Sequence, residues 1–172
     1  MQNKFLILIF ASAFITGCST LNQQHKKSAI CGGSKMAVNI SEEDRVSAEI
    51  LKEVFNNNAS AFQKNVSAFC VGILDDRSLK DPSTGILSIF SDHKPKVLPT
   101  SVCTSKDGGI FTKTGDRAIN FHISNLKKKP DGSYEAQAGY YEGNLSSQTN
   151  TYNATKTSGK WVVHLISMGP VS

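Results

Sequence analysis

In Ala118-Ile119-Asn120-Phe121-His122-Ile123-Ser124, apolar and polar side chains alternate without a break from Ile119 onward. Ile119, Phe121 and Ile123 fall on one face, and Asn120, His122 and Ser124 on the other, as in a strand that buries one side. Upstream, Gly109-Ile110-Phe111-Thr112 is separated from this segment by Thr114-Gly115-Asp116, a hairpin signal. Downstream, Pro130-Asp131-Gly132 turns the chain into Tyr134, Ala136, Ala138 and Tyr140, again one face. Tyr152 and Ala154 mark a further strand. Thr157-Ser158-Gly159-Lys160 then turns into Trp161-Val162-Val163-His164-Leu165-Ile166, apolar on both faces. That composition predicts a final strand at the centre of the sheet or covered by helices.

Towards the N-terminus the period changes. Ser41-Glu42-Glu43-Asp44 has the shape of a capping box with Asp in place of the usual Glu or Gln. Val46, Ile50, Leu51, Val54 and Phe55 follow at three- and four-residue spacing, and Asn56-Asn57-Asn58 stops the helix. Residues 66–74 are rich in Val, Phe and Ile between polar flanks and read as a buried strand. Asp81-Pro82-Ser83 begins a short helix carrying Ile86, Leu87, Ile89 and Phe90. Residues 97–103 form an edge strand interrupted by Pro99. The expected class is α+β: N-terminal helices packed on a curved antiparallel meander of four to five strands, as in cystatin-like or nuclear-transport-factor-like folds. An all-β barrel is the alternative.

The first residues carry a different signal. Lys4 precedes an almost wholly apolar run at residues 5–15, well short of the ~20 residues that span a bilayer. Ile15-Thr16-Gly17-Cys18 closes it and resembles the lipobox of bacterial lipoproteins. The resemblance implies cleavage after Gly17 and modification of Cys18 by diacylglycerol and usually palmitate, giving stable membrane anchorage. Ser19, where Asp would mark inner-membrane retention, implies an outer-membrane lipoprotein facing the periplasm. The expected organisation is a signal peptide at 1–17, a lipidated flexible tether at 18–35 and one α+β domain at 36–172. Asp81-Pro82-Ser83, Gly139-Tyr140-Tyr141 and Gly159-Lys160-Trp161-Val162-Val163 give residues 66–172 a likeness to small uncharacterised extracytoplasmic bacterial domains.

With Cys18 acylated, three cysteines remain in an oxidising compartment, where disulfides persist. Cys70 with Cys103 is the expected pair, and Cys31 is free or bonded to one of them. No CxxC supports a redox or zinc role. The net charge of +5 is mild, and Lys127-Lys128-Lys129 sits beside a turn proline, so no nucleic-acid partner is expected. His25, His93, His122 and His164 form no HxH, HExxH or HxxxH spacing, and no GxSxG, P-loop or dinucleotide fingerprint occurs. No metal or cofactor other than the lipid on Cys18 is expected. His122 and His164 lie mid-strand and would approach if their strands were neighbours. Exposed tyrosines would form a platform for a protein or glycan.

These observations favour a non-enzymatic envelope lipoprotein that acts as a binding module. One variant is an immunity or inhibitor protein acting on an envelope protein or toxin. Tyr141, Glu142 and His122 are the candidate partner-binding residues. The alternative is a periplasmic enzyme or small-ligand carrier with a cavity between helix and sheet, for which His122 and Glu142 are the residues to examine.

Overall fold

The computed structural model describes residues 38–144 and 146–172. Gly17, Cys18, Cys31 and the expected tether lie outside them. In chain order the elements are α1 (Glu42–Asn56), β1 (Ala68–Asp75), β2 (Ser78–Lys80), α2 (Thr84–Ile89), β3 (Lys96–Pro99), β4 (Cys103–Lys106), β5 (Gly109–Thr112), β6 (Arg117–Lys128), β7 (Tyr134–Tyr141), β8 (Ser147–Thr157) and β9 (Lys160–Ser167). Single 3-10 turns occupy Gln63–Asn65 and Thr100–Val102.

All the strands belong to one mixed sheet, ordered β2-β1-β6-β7-β8-β9. The antiparallel meander read from the sequence is β6 to β9. The sheet is larger than the expected four or five strands, because β1 joins β6 in parallel, Phe69 beside Ile119 and Val71 beside Phe121. On its other edge β1 takes β3 in parallel and β2 antiparallel. β5 continues the edge of β6 beyond the end of β7 and carries β4. The sheet is open, with β9 at one end of the order, so the barrel alternative does not hold.

The two faces of the sheet explain this arrangement. Phe69, Val71, Ile119, Phe121, Ile123, Tyr134, Ala136, Ala138, Tyr140, Tyr152 and Ala154 line one face and pack against the buried stripe of α1. Phe55 of α1 sits among aromatic rings, its centroid 4.7 Å from Phe121, 5.0 Å from Phe69 and 5.3 Å from Phe90. On the opposite face of β1, Ala68 and Cys70 pack with Ile110, Ala118, Leu98 and Cys103. Cys70 and Cys103 are joined by a disulfide, with Cα atoms 6.4 Å apart. β1 is therefore buried on both sides, which is what its unbroken apolar run requires.

β9 departs from the sequence expectation. It is not central and only partly covered: it lies at the sheet edge, with Val162 38 %, Leu165 46 % and Ile166 53 % exposed. Trp161 and Val163 are half-buried against the core. α1 reaches the helix-side face of β9 as it does β6 and β7, but Val162, His164 and Ile166 alternate to the other face, where none of the described elements covers them. Composition alone asks for burial on both faces, and among the described residues only the helix-side face receives it, at Trp161 and Val163.

The capping box is present. Ser41 Oγ accepts from the Asp44 N–H at 3.0 Å, and the Ser41 N–H donates to Asp44 Oδ2 at 3.0 Å. The same carboxylate accepts from Ser83 Oγ, the side chain that caps α2 by accepting from the Ile86 N–H. A Cβ on Gly85 would lie 2.2 Å from Asp44 Oδ2, so glycine permits this close approach of the two helices. Burial pushes the Asp44 carboxyl up, but the Ser83 and Ser41 hydrogen bonds outweigh it and hold the group below its ordinary 3.8. Stability from a lowered carboxyl is present above its unfolded value and is lost as pH falls through the folded one. Asp44→Ala is expected to cost about 1–2 kcal/mol in urea denaturation at neutral pH. The gap to wild type should close below 3.8; a gap independent of pH would assign the loss to packing.

Candidate functional site

Strand alternation turns Asn120, His122 and Ser124 away from α1, as the sequence predicts. The register then places His122 between two glycines, Gly72 on β1 and Gly139 on β7. Neither has a side chain to stand beside the ring. Leu79 of β2 lies over Gly72, where a Cβ would meet its Cγ at 2.4 Å. Beyond Gly139 comes Thr149 of β8, and His122 Nε2 lies 3.1 Å from Thr149 Oγ1. The imidazole thus reaches across the bare backbone of β7 to a neighbour two strands away. Burial pushes it below the ordinary 6.5, so the ring is neutral at physiological pH.

Tyr141 stands on the same face, opposite Asn120 and diagonal to His122, and is 38 % exposed. Glu142 does not join them. It is 2 % exposed, and neither carboxylate oxygen has a hydrogen-bond partner among the described residues. Its backbone N–H donates to the Ser146 carbonyl at 2.9 Å, closing the turn between β7 and β8. An acid at a strand end reads from sequence as a surface residue, but this one is withdrawn from any partner. A buried unpaired polar group costs free energy. Glu142→Met keeps the length of the side chain and removes both oxygens. It is expected to stabilise the fold by about 1–3 kcal/mol in thermal denaturation; destabilisation would show that the carboxylate is satisfied in solution.

The histidine pair and the aromatic platform do not form. β7 and β8 separate His122 on β6 from His164 on β9. Tyr134, Tyr140 and Tyr152 are 1–2 % exposed and belong to the core, leaving Tyr141 alone on the open face. Among the described residues no three His, Cys, Asp or Glu side chains gather as a metal site, and no helix is long and apolar enough to cross a membrane.

Clefts open at the margins of the junction between α1 and the sheet rather than within its aromatic centre. Two of about 340 Å³ flank Trp161. Its ring meets Tyr134 edge-on at 5.5 Å, with Lys156 Nζ 5.5 Å above it. Glu42 ties this corner together, pairing with Lys128 at 2.9 Å and Lys156 at 3.6 Å while accepting from the Tyr134 hydroxyl at 3.1 Å. Hydrogen bonds from Lys128 and Tyr134 hold its carboxyl below 4.5. A wider cleft of about 640 Å³ lies beside Phe111, Lys106 and Lys113 on the β4–β5 hairpin. These are open surfaces carrying mixed charge.

The feature that the sequence reading missed is the free edge of β9. The C-terminal residues extend it along β8: Ser172 and Ser147 exchange backbone hydrogen bonds at 2.9 and 3.1 Å. The Gly169 N–H donates to Asn150 Oδ1, and the Gly169 carbonyl accepts from Gln148. Met168 at 69 % and Val171 at 57 % exposure prolong the apolar rim. The chain matches no protein-family model, no curated protein and no solved structure in the comparisons made.

Proposed function

We propose that this chain is a non-enzymatic lipoprotein of the bacterial cell envelope whose domain binds a protein partner along β9. In this reading Cys18 carries diacylglycerol and palmitate after cleavage behind Gly17, and the protein sits in the outer membrane facing the periplasm. The observation that carries the binding role is the edge itself. A long strand whose outer edge pairs with no other strand among the described residues, with Val162, Leu165 and Ile166 exposed, invites addition of another strand. Tyr141 and His122 offer a second, polar contact surface on the open face. A role as immunity or inhibitor protein towards an envelope toxin is one form of the same reading. The finer fold that fits this role is a cystatin-like or nuclear-transport-factor-like curved sheet.

The enzyme or ligand-carrier alternative needs space between α1 and the sheet. Phe55, Phe69, Phe90 and Phe121 fill the middle of that space, leaving open, among the clefts described above, only those beside Trp161 at its margin. Two measurements test the proposal. Mass spectrometry of the mature N-terminal peptide is expected to find an acylated cysteine, and an unmodified Cys18 thiol would overturn the anchor. A photo-crosslinking residue at Val162, with one at the distant turn residue Asp76 as control, is expected to give a discrete protein adduct in intact cells only at Val162. No adduct at Val162 would overturn binding through this edge.

A further inference from the structure

We infer that the partner on the β9 edge is a second copy of this chain, its β9 pairing antiparallel with the first about a two-fold axis at Val163. This rests on the reading that β9 is the binding edge, and it names the occupant.

The remaining outer strands carry the devices that keep edges from pairing. β2 has three residues and ends in Lys80, which forms an ion pair with Asp75. β3 has four residues, opens on Lys96 and closes on Pro99. β4 also has four residues and ends on Lys106. β9 has eight, and from Trp161 to Met168 there is no Asp, Glu, Lys, Arg or Pro. The guards stand only at its ends, Lys160 as its first residue and Pro170 after it. An irregularity in the pairing with β8 sets off Ile166, so the regular part of the edge runs through Leu165.

Self-pairing of that regular part is complementary. Trp161, Val163 and Leu165 share the helix-side face, opposite Lys156, Ala154 and Tyr152 of β8. A two-fold axis at Val163 sets Trp161 against Leu165 of the other copy and each Val163 against its equivalent. The apolar row is thereby continued across the junction. On the outer face Val162 meets His164, and each Lys160 falls opposite Ile166, so no charge faces a like charge. A five-residue pairing is small beside stable interfaces, which places the dimer among weak, dissociable complexes. Confinement of both copies to one membrane surface raises their effective concentration and offsets that weakness.

The test uses the full chain in detergent, with micelles in excess over chains, followed by sedimentation velocity across a concentration series. A reversible dimer is expected, and Val162→Lys, which places a charge on an exposed position of the edge, should weaken it at least about tenfold. Under mild oxidation Val163→Cys should form a disulfide between the two substituted positions, because facing residues on antiparallel strands have Cα atoms ~4.5–5.5 Å apart. His164→Cys should not, since its equivalent lies a further two residues along. A monomer at the highest concentration, a dimer indifferent to Val162→Lys, or His164→Cys linking while Val163→Cys does not would each overturn the inference. If the Val162 photo-adduct contains a different protein while the purified chain stays monomeric, self-pairing fails and the binding role stands. If no adduct forms, both fail.

Discussion

Phe55→Ala is expected to destabilise the fold by about 3–5 kcal/mol. The ring is 2 % exposed and joins α1 to β1, β6 and the end of α2 through Phe69, Phe121 and Phe90. Truncation removes its transfer free energy and leaves a void among rings that cannot all turn inward, since β1 and β6 are held by their parallel ladder. The aromatic pairs contribute a further increment beyond burial. Urea denaturation monitored by circular dichroism should show a lower midpoint with an unchanged slope. A loss under about 1.5 kcal/mol would mean that α1 can slide to close the gap, and that its placement over the sheet is softer than its capping implies.

Loss of the Cys70–Cys103 bond is the second large expected effect. The bridge closes a loop with a sequence separation of 33 residues, for which the chain-entropy account gives about 3–4 kcal/mol. Cys70→Ala with Cys103→Ala should lower the thermal midpoint by roughly 10 °C. The bond also fastens β4 over the face of β1 that α1 does not reach, where Ala68, Ile110 and Ala118 supply little apolar area of their own. Hydrogen exchange should therefore rise first in β3, β4 and β5. Uniform acceleration across all strands would place the bridge within the global core instead.

What was legible in the chain is what local periodicity encodes. Ile119, Phe121 and Ile123 announced their face, as did Tyr134, Ala136, Ala138 and Tyr140, because a strand repeats every two residues whatever its neighbours are. Ser41 and Asp44 announced the start of α1 because a cap is satisfied within four residues. Position in the sheet has no such signature. The apolar run of β1 asks for cover on both faces but does not name β6 as its neighbour, since that choice depends on residues far along the chain. For β9 the same kind of composition misled: Trp161-Val162-Val163-His164-Leu165-Ile166 reads as buried on both faces, and only the order of strands reveals that none of the described strands lies beyond it. The candidate site followed the same division. The outward direction of His122 was readable, whereas the glycines on either side of it follow from register. Gly139 within an otherwise regular strand was the available hint, because a glycine there marks close backbone approach. For Glu142 nothing in the flanking residues signals withdrawal of its carboxylate.

The parallel ladder between β1 and β6 also constrains how the chain is made. Ala68 to Ile73 find their hydrogen-bonding neighbours at Ala118 to Ile123, roughly fifty residues later, a separation whose closure entropy grows only slowly with length. A chain emerging N-terminus first from a ribosome or a membrane pore has most of its length exposed before this pairing can begin. Residues 68–73, the most apolar strand of the fold, must wait uncovered through that interval. They are the segment a holding chaperone would be expected to grip during delivery.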